Sequence, residues 1–304
     1  MTVRMAIVLI LNLSIAGTII GFSQSALQRL RSVALKTRSI NNVREICLAT
    51  QTFACINNNQ LPTVDGMPQR KWSDDFGMYT TDLQPILFES LLPYIDCAKE
   101  PKKQALPSYV ATYISPADPS VADLVANGNA ASLERIISYA GNAHAFNSHP
   151  NIEVSFPDGT SNTIAYAEHY SWCGSVRYEY TWHTVAGRRG YQLHRPTFAD
   201  GGEILGGNNE ADVFPRTEQG KTSPSRAKVT FQSAPKVWSV PDWDHIKVPS
   251  PEYCDWSLPQ TPHVDGMIVG MADGSIRIVK SSVAPGVFWS AVTPAGGEAI
   301  YIDW

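Results

Sequence analysis

The sequence predicts an α+β protein in which one long N-terminal helix packs on an antiparallel sheet with large, loop-rich insertions. Two observations support this class. The chain has no proline before Pro62, and its only glycines in that stretch are Gly17 and Gly21, which favours a continuous helix. From Leu61 onward, short apolar runs alternate with proline, glycine and asparagine, which is typical of strands joined by turns.

Length and composition bound the class of function. The chain has 304 residues, more than the roughly 100 to 200 residues usual for one domain, which favours one elaborated domain with an appendage. Its 24 basic and 28 acidic residues give a formal charge of -4. Such a balance does not provide a surface that neutralises phosphates, so nucleic acid is not expected as a partner.

The first predicted element is an apolar helix from Met5 to Phe22. These 18 residues carry no formal charge. At a rise of about 1.5 Å per residue they span about 27 Å, close to the roughly 30 Å of a bilayer core, so we expect a retained anchor. A cleaved secretory signal, with its apolar region from Ala6 to Ala16, is the alternative. Within a bilayer, Gly17-x-x-x-Gly21 would let helices approach closely and associate.

The helix is predicted to continue into the body. Apolar or small side chains at alternating spacings of three and four residues lie on one face, which we expect to pack on the sheet. They are Ile40, Val43, Cys47, Thr50 and Ala54. The asparagines at 57–59 predict the end of the helix. The chain thus divides into a membrane helix at 1–25, its continuation at 26–60 and a loop-rich body at 61–304.

Within the body, one short helix and four strands are predicted ahead of the C-terminal region. The helix is expected between Leu83 and Ile95, because prolines stand near both of its ends. Alternating or β-branched residues predict the strands, which are 151–156, 161–168, 176–182 and 228–232.

The strongest local pattern is a β-hairpin from Met267 to Val279. Asp273 and Gly274 form a favoured two-residue turn between its two apolar runs. A turn of that length pairs Met271 with Ile276 and places both on one apolar face.

A second turn precedes a strand that ends in a carboxylate. Asp158 and Gly159 form the turn, and the side chains of Ser161 and Asn162 can bind its backbone groups. Glu168 ends the apolar run that follows. Because burial of an unpaired carboxylate is costly, we expect Glu168 to have a cationic or hydrogen-bonding partner, either structural or part of a site.

The chemistry-bearing residues predict a protein that is not an enzyme. The chain contains no H-E-x-x-H, no G-x-S-x-G, no phosphate loop and no dinucleotide fingerprint. His263 and Asp273 are expected to lie apart, because the strand that leads to the turn begins about 20 Å away at roughly 3.3 Å per residue. No cofactor is expected, although carboxylate-rich loops at Asp118–Asp123 or Asp242–Asp244 could hold calcium.

The cysteines do not indicate a disulfide-stabilised fold or a zinc site. They are too few and too scattered for a disulfide scaffold, and no C-x2-C pair indicates zinc. They are Cys47, Cys55, Cys97, Cys173 and Cys254. One or two disulfides could form outside the cytoplasm, and the spacing leaves the connectivity open.

Six short motifs follow one another in a fixed order. They are R-S-I-N-N-V-R-E-I-C-L-A-T after the apolar helix, L-L-P-Y-I, T-Y-I-S-P-A-D-P, I-S-Y-A-G-N, D-G-T-S-N-T-I-A-Y-A-E, and His263 followed by nine residues and Asp273-Gly274, before a closing Gly296-Gly297-Glu298. Because these motifs occur in this order, the chain resembles a large bacterial prepilin-like family of unknown function. That family is similar to type II pseudopilin G and has a C-terminal His-x9-Asp-Gly motif. The likeness runs from about residue 5 to residue 300.

Two features depart from that family. Its members typically open with a Gly-Phe-Thr-Leu-x-Glu signature for prepilin peptidase, whereas this chain begins Met1-Thr2-Val3-Arg4-Met5. Ile114 stands where the family often has a cysteine, so a disulfide from that position does not carry over.

The resemblance implies a pilin-like topology: a single pass through the inner membrane and an extracytoplasmic body that could belong to a surface filament. The basic residues after the apolar run favour the opposite orientation, with the body in the cytoplasm. The implied function is a non-enzymatic subunit of a secretion, fibre or surface assembly. Its partners would be the membrane, through residues 5–22, and its own copies or other pilin-like subunits.

A tethered extracytoplasmic protein that binds solutes or carbohydrates is the alternative function. Eight tryptophans and twelve tyrosines would suit stacking on sugars if they lie in loops, and buried core aromatics explain them equally well.

Overall fold

A computed structural model of the chain describes residues 3–64, 69–73, 78–82, 86–95, 109–126, 134–147, 150–173, 176–180, 186–188, 191–194, 196–199, 230–237, 252–255 and 258–297. Within these ranges, the side chains of residues 3–23, 25, 69–73, 78–82, 176, 186–188 and 191–194 are not described.

The described chain has the predicted α+β class. Its helices are α1 (Val3–Ile56), α2 (Leu87–Leu91), α3 (Pro119–Ala126) and α4 (Pro285–Val292), with 3₁₀ turns at Leu92–Tyr94 and Ala111–Tyr113. Its strands are β1 (Gln69–Ser73), β2 (Met78–Asp82), β3 (Tyr139–Asn142), β4 (Ile164–Glu168), β5 (Trp172–Cys173), β6 (Val176–Tyr178), β7 (Ala186–Arg188), β8 (Tyr191–His194), β9 (Thr197–Phe198), β10 (Gln232–Ser233), β11 (Gln260–Thr261), β12 (Met267–Met271) and β13 (Ile276–Val279).

α1 is the long continuous helix that the sequence predicts. Its 54 residues span about 81 Å at about 1.5 Å per residue. Asn58 and Asn59 end it with positive φ angles of 55° and 63°, which asparagine tolerates better than most side chains. The Asn59 amide donates to the Ala54 carbonyl at 2.8 Å and so satisfies one carbonyl of the last turn. The division of the chain at residues 25 and 60 stays a prediction.

The predicted stripe of α1 faces the sheet. Val43, Cys47, Thr50 and Ala54 are buried, and Ile40 packs against the same core while partly exposed. Residues three and four apart share one side of a helix, which is why this spacing identified the packed face. None of the side chains described from 24 to 38 is fully buried, so this part of α1 projects from the body.

The predicted inner-membrane location is wrong. Within the residues that the structure describes, no helix is both long enough and apolar enough to cross a membrane. The projecting part of α1 is instead basic, with four arginine or lysine side chains between residues 29 and 38. A single-pass protein with an extracytoplasmic body is therefore not supported. The side chains of residues 5–22 lie outside the described part, so helix packing at Gly17 and Gly21 stays a prediction.

A five-stranded sheet in the order β13-β12-β4-β3-β9 forms the centre of the body. α1 packs on one of its faces and α4 on the other. Gly270 of β12 shows how closely α1 approaches, because a Cβ atom there would overlap the Cys47 sulfur and lie 3.0 Å from a Val43 methyl carbon. On the opposite face, Phe288 and Trp289 of α4 are buried in a second apolar cluster.

The central sheet is mixed, whereas an antiparallel sheet was predicted. Strands β13, β12, β4 and β3 pair antiparallel, and β9 joins β3 in parallel. Parallel neighbours need a long crossover, and the chain between β3 and β9 supplies it because β4 to β8 lie within that connection. Strands β5, β6, β8 and β7 form a second sheet, while β1-β2 and β10-β11 are separate pairs.

The C-terminal hairpin has the predicted turn residues and a different register. Gly274 has a φ of 88°, and its amide donates to the Met271 carbonyl at 3.0 Å. The Met271 amide in turn donates to the Ser275 carbonyl at 2.8 Å. The loop is therefore three residues long, with the glycine at the bulge. Gly270 pairs with Ile276, so the predicted pairing of Met271 with Ile276 is wrong by one residue.

Contacts from outside the hairpin hold this longer loop. The Ala272 amide donates to the Thr163 carbonyl at 2.9 Å, and the Asp273 amide donates to the Thr160 carbonyl at 3.1 Å. From α1, the Gln51 side-chain amide donates to the Ala272 carbonyl at 2.7 Å. These tertiary bonds explain the slip, because local turn preferences do not include them.

Three of the shorter predicted elements differ from the structure. The strand predicted at 151–156 is wrong, because residues 152–154 form a turn and Asn151 makes only a single bridge, to Gln60. The strand predicted at 161–168 begins later, at Ile164. The helix expected from Leu83 to Ile95 is present only as α2 and the 3₁₀ turn after it.

Candidate functional site

Glu168 and His263, two of the residues singled out in the sequence, meet at one edge of β4 and β12. Glu168, the last residue of β4, is 1% exposed. Its Oε2 atom accepts hydrogen bonds from the Thr261 hydroxyl at 2.6 Å and from the Ile268 amide at 3.1 Å. Because β12 pairs with β4, the carboxylate lies directly beside the chain that enters β12. The hydrogen-bonding partners expected for Glu168 are therefore Thr261 and Ile268.

The imidazole of His263 completes this buried group. Its Nε2 atom lies 3.5 Å from Glu168 Oε1, and the two side chains are 9% and 1% exposed. Within the described ranges, neither of these two atoms has a hydrogen-bond partner. The His263 amide donates to the Thr261 hydroxyl oxygen at 3.2 Å, which holds the histidine next to the carboxylate. Glu168, Thr261 and His263 together are called the β4 latch below.

The loop between β11 and β12, which carries His263 of the β4 latch, is also tied to α1. Lys36 Nζ donates to Asp265 Oδ2 at 2.5 Å. This hydrogen bond, together with the charge of the ammonium group, lowers the pKa of the Asp265 carboxyl below its usual value. The ion pair lies where α1 leaves the body, so one short loop connects the helix, β4 and the C-terminal hairpin.

Asp273, the second acidic residue of the C-terminal motif, serves the turn. Its Oδ1 atom accepts from the Ser275 amide at 2.8 Å and from the Ser275 hydroxyl at 2.6 Å. The side chain is exposed. His263 and Asp273 thus bind different groups, and the geometry of the described residues offers no shared acid-base site.

The Asp158 turn fastens the chain that follows α4. The Asp158 carboxylate accepts from the Gly296 amide at 2.6 Å and from the Gly297 amide at 3.1 Å. Gly159 follows with a φ of 97°, a backbone conformation that favours glycine. The Asn162 side chain donates back to the Asp158 carbonyl at 2.9 Å, and Ser161 is exposed in the same turn. Two motifs that are far apart in sequence therefore form one structural clip.

Asp118 is a central polar residue whose role the sequence analysis missed. It is buried, and its carboxylate accepts four hydrogen bonds. The donors are the Ser120 amide at 2.9 Å, the Ser120 hydroxyl at 2.6 Å, the Ser138 hydroxyl at 2.7 Å and the Ser171 amide at 2.8 Å. Burial raises the pKa of this carboxyl despite these hydrogen bonds. The Asp-Pro sequence before α3 was the available signal, because Asp caps helices and Pro favours the first helical position.

Calcium at the predicted loops gains no support. The Asp118 carboxylate is occupied by protein donors, and Asp123 is exposed on α3. Across the described ranges, no group of three or more His, Cys, Asp or Glu side chains is placed to hold a metal ion. Asp242 and Asp244 lie outside the described residues.

The cysteines provide a covalent tie. Cys173 and Cys254 form a disulfide with their Cα atoms 5.7 Å apart, across 81 residues of sequence. Cys47 and Cys55 are free thiols. Burial raises the pKa of the Cys47 thiol to about 12, so this sulfur stays protonated and unreactive.

A cleft among the described residues of the body is too small for a solute. The cleft, which lies between α1, β4 and the hairpin and is lined by Thr50, Phe146 and Tyr166 among others, has a cavity volume of about 10 Å³, room for about one water molecule. Ligand sites usually measure roughly 300 to 1,000 Å³. Of the nine tyrosines whose side chains are described, six are fully buried in the core and cannot stack on a sugar: Tyr113, Tyr139, Tyr166, Tyr170, Tyr178 and Tyr180.

The amino-acid sequence matches the model of one protein family. The family model described as Protein of unknown function (DUF1559), with the short name SBP_bac_10, matches residues 28–286. That range includes the sheet, the β4 latch and the first residues of α4. No curated protein and no solved structure matches the chain. The expected match to a family of unknown function is thereby confirmed. The likeness to prepilins and pseudopilins and the family's His-x9-Asp-Gly motif stay predictions.

Proposed function

Because the chain belongs to the DUF1559 family, whose description assigns no function, we propose from its geometry that it is a non-enzymatic, pilin-like subunit of a secretion, fibre or surface assembly. Copies associate through the projecting part of α1. The observation that carries this proposal is a set of exposed apolar side chains on that part of the helix: Leu27 is 48%, Leu30 67% and Val33 62% exposed.

Those side chains lie on a helix segment that the body does not cover. An isolated helix gains most of its stability from packing an apolar face, so a helix that extends from a domain with large apolar side chains exposed is typical of an element with a partner. The continuous geometry of α1 supports the same role, because its packed end fixes the direction in which the exposed end points.

The buried position of the β4 latch supports a structural rather than a catalytic role. Glu168 and His263 contact each other beneath the surface, and a general base must reach its substrate to act. Asp158 and Asp273 each accept hydrogen bonds from backbone amides and stabilise local turns. Apart from the exposed Ser161, the described motif residues thus have roles in holding the fold.

The test is light scattering coupled to size-exclusion chromatography on the full chain. Leu27→Ser with Leu30→Ser removes apolar surface without changing charge. If each leucine contributes about 1 kcal/mol at the contact, the self-association constant falls about thirtyfold. The matched control is Gln28→Ser, an exposed polar residue on the same helix, for which we expect no change. Equal association of the double variant and the control would contradict a role for these leucines.

Solute binding is a second candidate, favoured by the family's short name, SBP_bac_10, which hints at a solute-binding protein. The size of the described cleft and the burial of the tyrosines argue against it. Thermal unfolding of the full chain with panels of oligosaccharides and amino acids tests it. A saturable rise in the unfolding temperature with one ligand would favour this candidate, because a ligand that binds only the native state stabilises it.

A further inference from the structure

We propose that the projecting segment of α1 binds the acidic body of a second copy of this chain, rather than the α1 helix of that copy. This inference rests on the proposed function and specifies its contact. The segment concerned, residues 24–38, is called the projecting segment; the body is residues 57–304.

The charge of the chain is divided unevenly between these parts. α1 contains six of the 24 basic residues and one of the 28 acidic residues, which gives it a formal charge of +5. Residues 57–304 hold the other 18 basic and 27 acidic residues, a formal charge of -9. The small net charge of the whole chain therefore hides two parts of opposite sign.

The three arginines of the projecting segment have exposed side chains. Arg29, Arg31 and Arg38 are all accessible to solvent, and Glu45 is the only acidic residue of α1. Among the basic residues of the projecting segment, Lys36 is the one that the described part of the body pairs, through Asp265. Relative to the described part of the body, the three arginines are thus unpaired, and they lie on the same segment as the apolar side chains of Leu30 and its neighbours.

Contact between two projecting segments would oppose like charges. Packed helix axes lie roughly 8 to 10 Å apart, about one Debye length at physiological salt, so the repulsion is only partly screened. Parallel and antiparallel arrangements share this defect, because no carboxylate lies between Val3 and Arg44 on either helix. Helix-to-helix packing could bury the leucines only by bringing arginines together.

Contact with the body of a second copy removes the conflict. Its net negative charge complements the segment, and complementary charge accelerates association and selects the partner. Such a contact joins different surfaces of the two copies, so the pair retains one free segment on one copy and one free body surface on the other. A contact of this kind propagates into a ring or an open polymer.

Charge reversal tests the direction of the effect. For Arg29→Glu with Arg31→Glu, the proposal predicts at least a tenfold weaker association constant and a smaller dependence on salt between about 50 and 500 mM NaCl. Lys280→Glu changes an exposed residue of the body and should leave association equal or stronger. Stronger association of the double variant, or of the wild type at high salt, would overturn the proposal in favour of contact between helices.

Crosslinking identifies the partner surface directly. The full chain with Leu30→p-benzoylphenylalanine is mixed in light and heavy isotope forms, irradiated and analysed by mass spectrometry. We expect light-to-heavy crosslinks from position 30 to peptides within 57–304. Crosslinks to α1 peptides would overturn this proposal and leave the proposed function standing. A wild-type chain that stays monomeric and yields no intermolecular crosslinks would contradict both.

Discussion

The disulfide gives a prediction whose magnitude follows from chain topology. Cys173 and Cys254 are 81 residues apart, and closing a loop of that length lowers the entropy of the unfolded chain. The loop-entropy relation gives about 4.5 kcal/mol of stabilisation at 25 °C. Cys173→Ala with Cys254→Ala should therefore lower the free energy of unfolding by about that amount.

Urea unfolding followed by tryptophan fluorescence measures the loss. The wild type in reducing agent should unfold at the same urea concentration as the double variant, because both lack the crosslink. The matched control is Cys55→Ala, which removes an exposed free thiol and should change stability by less than about 0.5 kcal/mol.

Two results would refute this reasoning. One is a double variant within about 1 kcal/mol of the oxidised wild type, which would show that the closed loop adds little. The other is an alkylation experiment on the denatured chain in which reduction exposes no additional pair of cysteines, since a disulfide between Cys173 and Cys254 hides two thiols until it is reduced.

Three further predictions concern single residues. Glu168→Ala should lower the free energy of unfolding by about 2 to 4 kcal/mol, because the Ile268 amide and the Thr261 hydroxyl lose their buried acceptor. Glu168→Gln keeps an acceptor oxygen and should lose less than half as much. Equal urea midpoints for the two variants would contradict the proposed roles of these bonds. Burial raises the pKa of the Asp118 carboxyl above its ordinary value of 3.8. The folded state therefore binds the carboxyl proton more tightly than the unfolded state does. The stability that the protonated carboxyl contributes at low pH is lost as pH rises through the folded pKa. Asp118→Asn should therefore remove a decline in unfolding free energy above about pH 4, and a pH profile parallel to the wild type would refute the assignment. Gly270→Ala should cost about 1 to 3 kcal/mol through overlap with the Cys47 sulfur, and adding Cys47→Ala should restore part of that loss in thermal unfolding; no recovery would place the strain elsewhere.

The helix was predictable because its signals are local. Continuous helix formation depends on the absence of proline, and the packed face depends on a spacing of three and four residues that is visible from Ile40 to Ala54. The end of α1 was equally visible, because consecutive asparagines accept the positive φ angles that a helix end requires.

The β4 latch was predictable only in part. A carboxylate at the end of an apolar strand needs a partner, and Glu168 has partners. Their identity depends on β12 lying beside β4, a pairing between segments about 100 positions apart that no local pattern encodes. The same reason explains why the clip between Asp158 and Gly296 was not expected.

The hairpin shows where local rules are insufficient. Asp-Gly predicts a two-residue turn when the strands alone determine it. Here the Thr160 and Thr163 carbonyls and the Gln51 side chain bind the loop and select three residues. One added loop residue moves every side chain of β13 relative to its neighbour, which is why the predicted faces were wrong.

The central claim is that this chain associates with its own copies through α1, and sedimentation equilibrium of the full chain tests it most directly. We predict a weight-average mass that rises with protein concentration from the 33.3 kDa of one copy toward multiples of that value, and that returns to one copy when Leu27 and Leu30 are replaced by serine. A mass of one copy at every concentration from about 1 to 100 μM would contradict the claim. The dissociation constant would then lie above that range, which is too weak for a stable assembly.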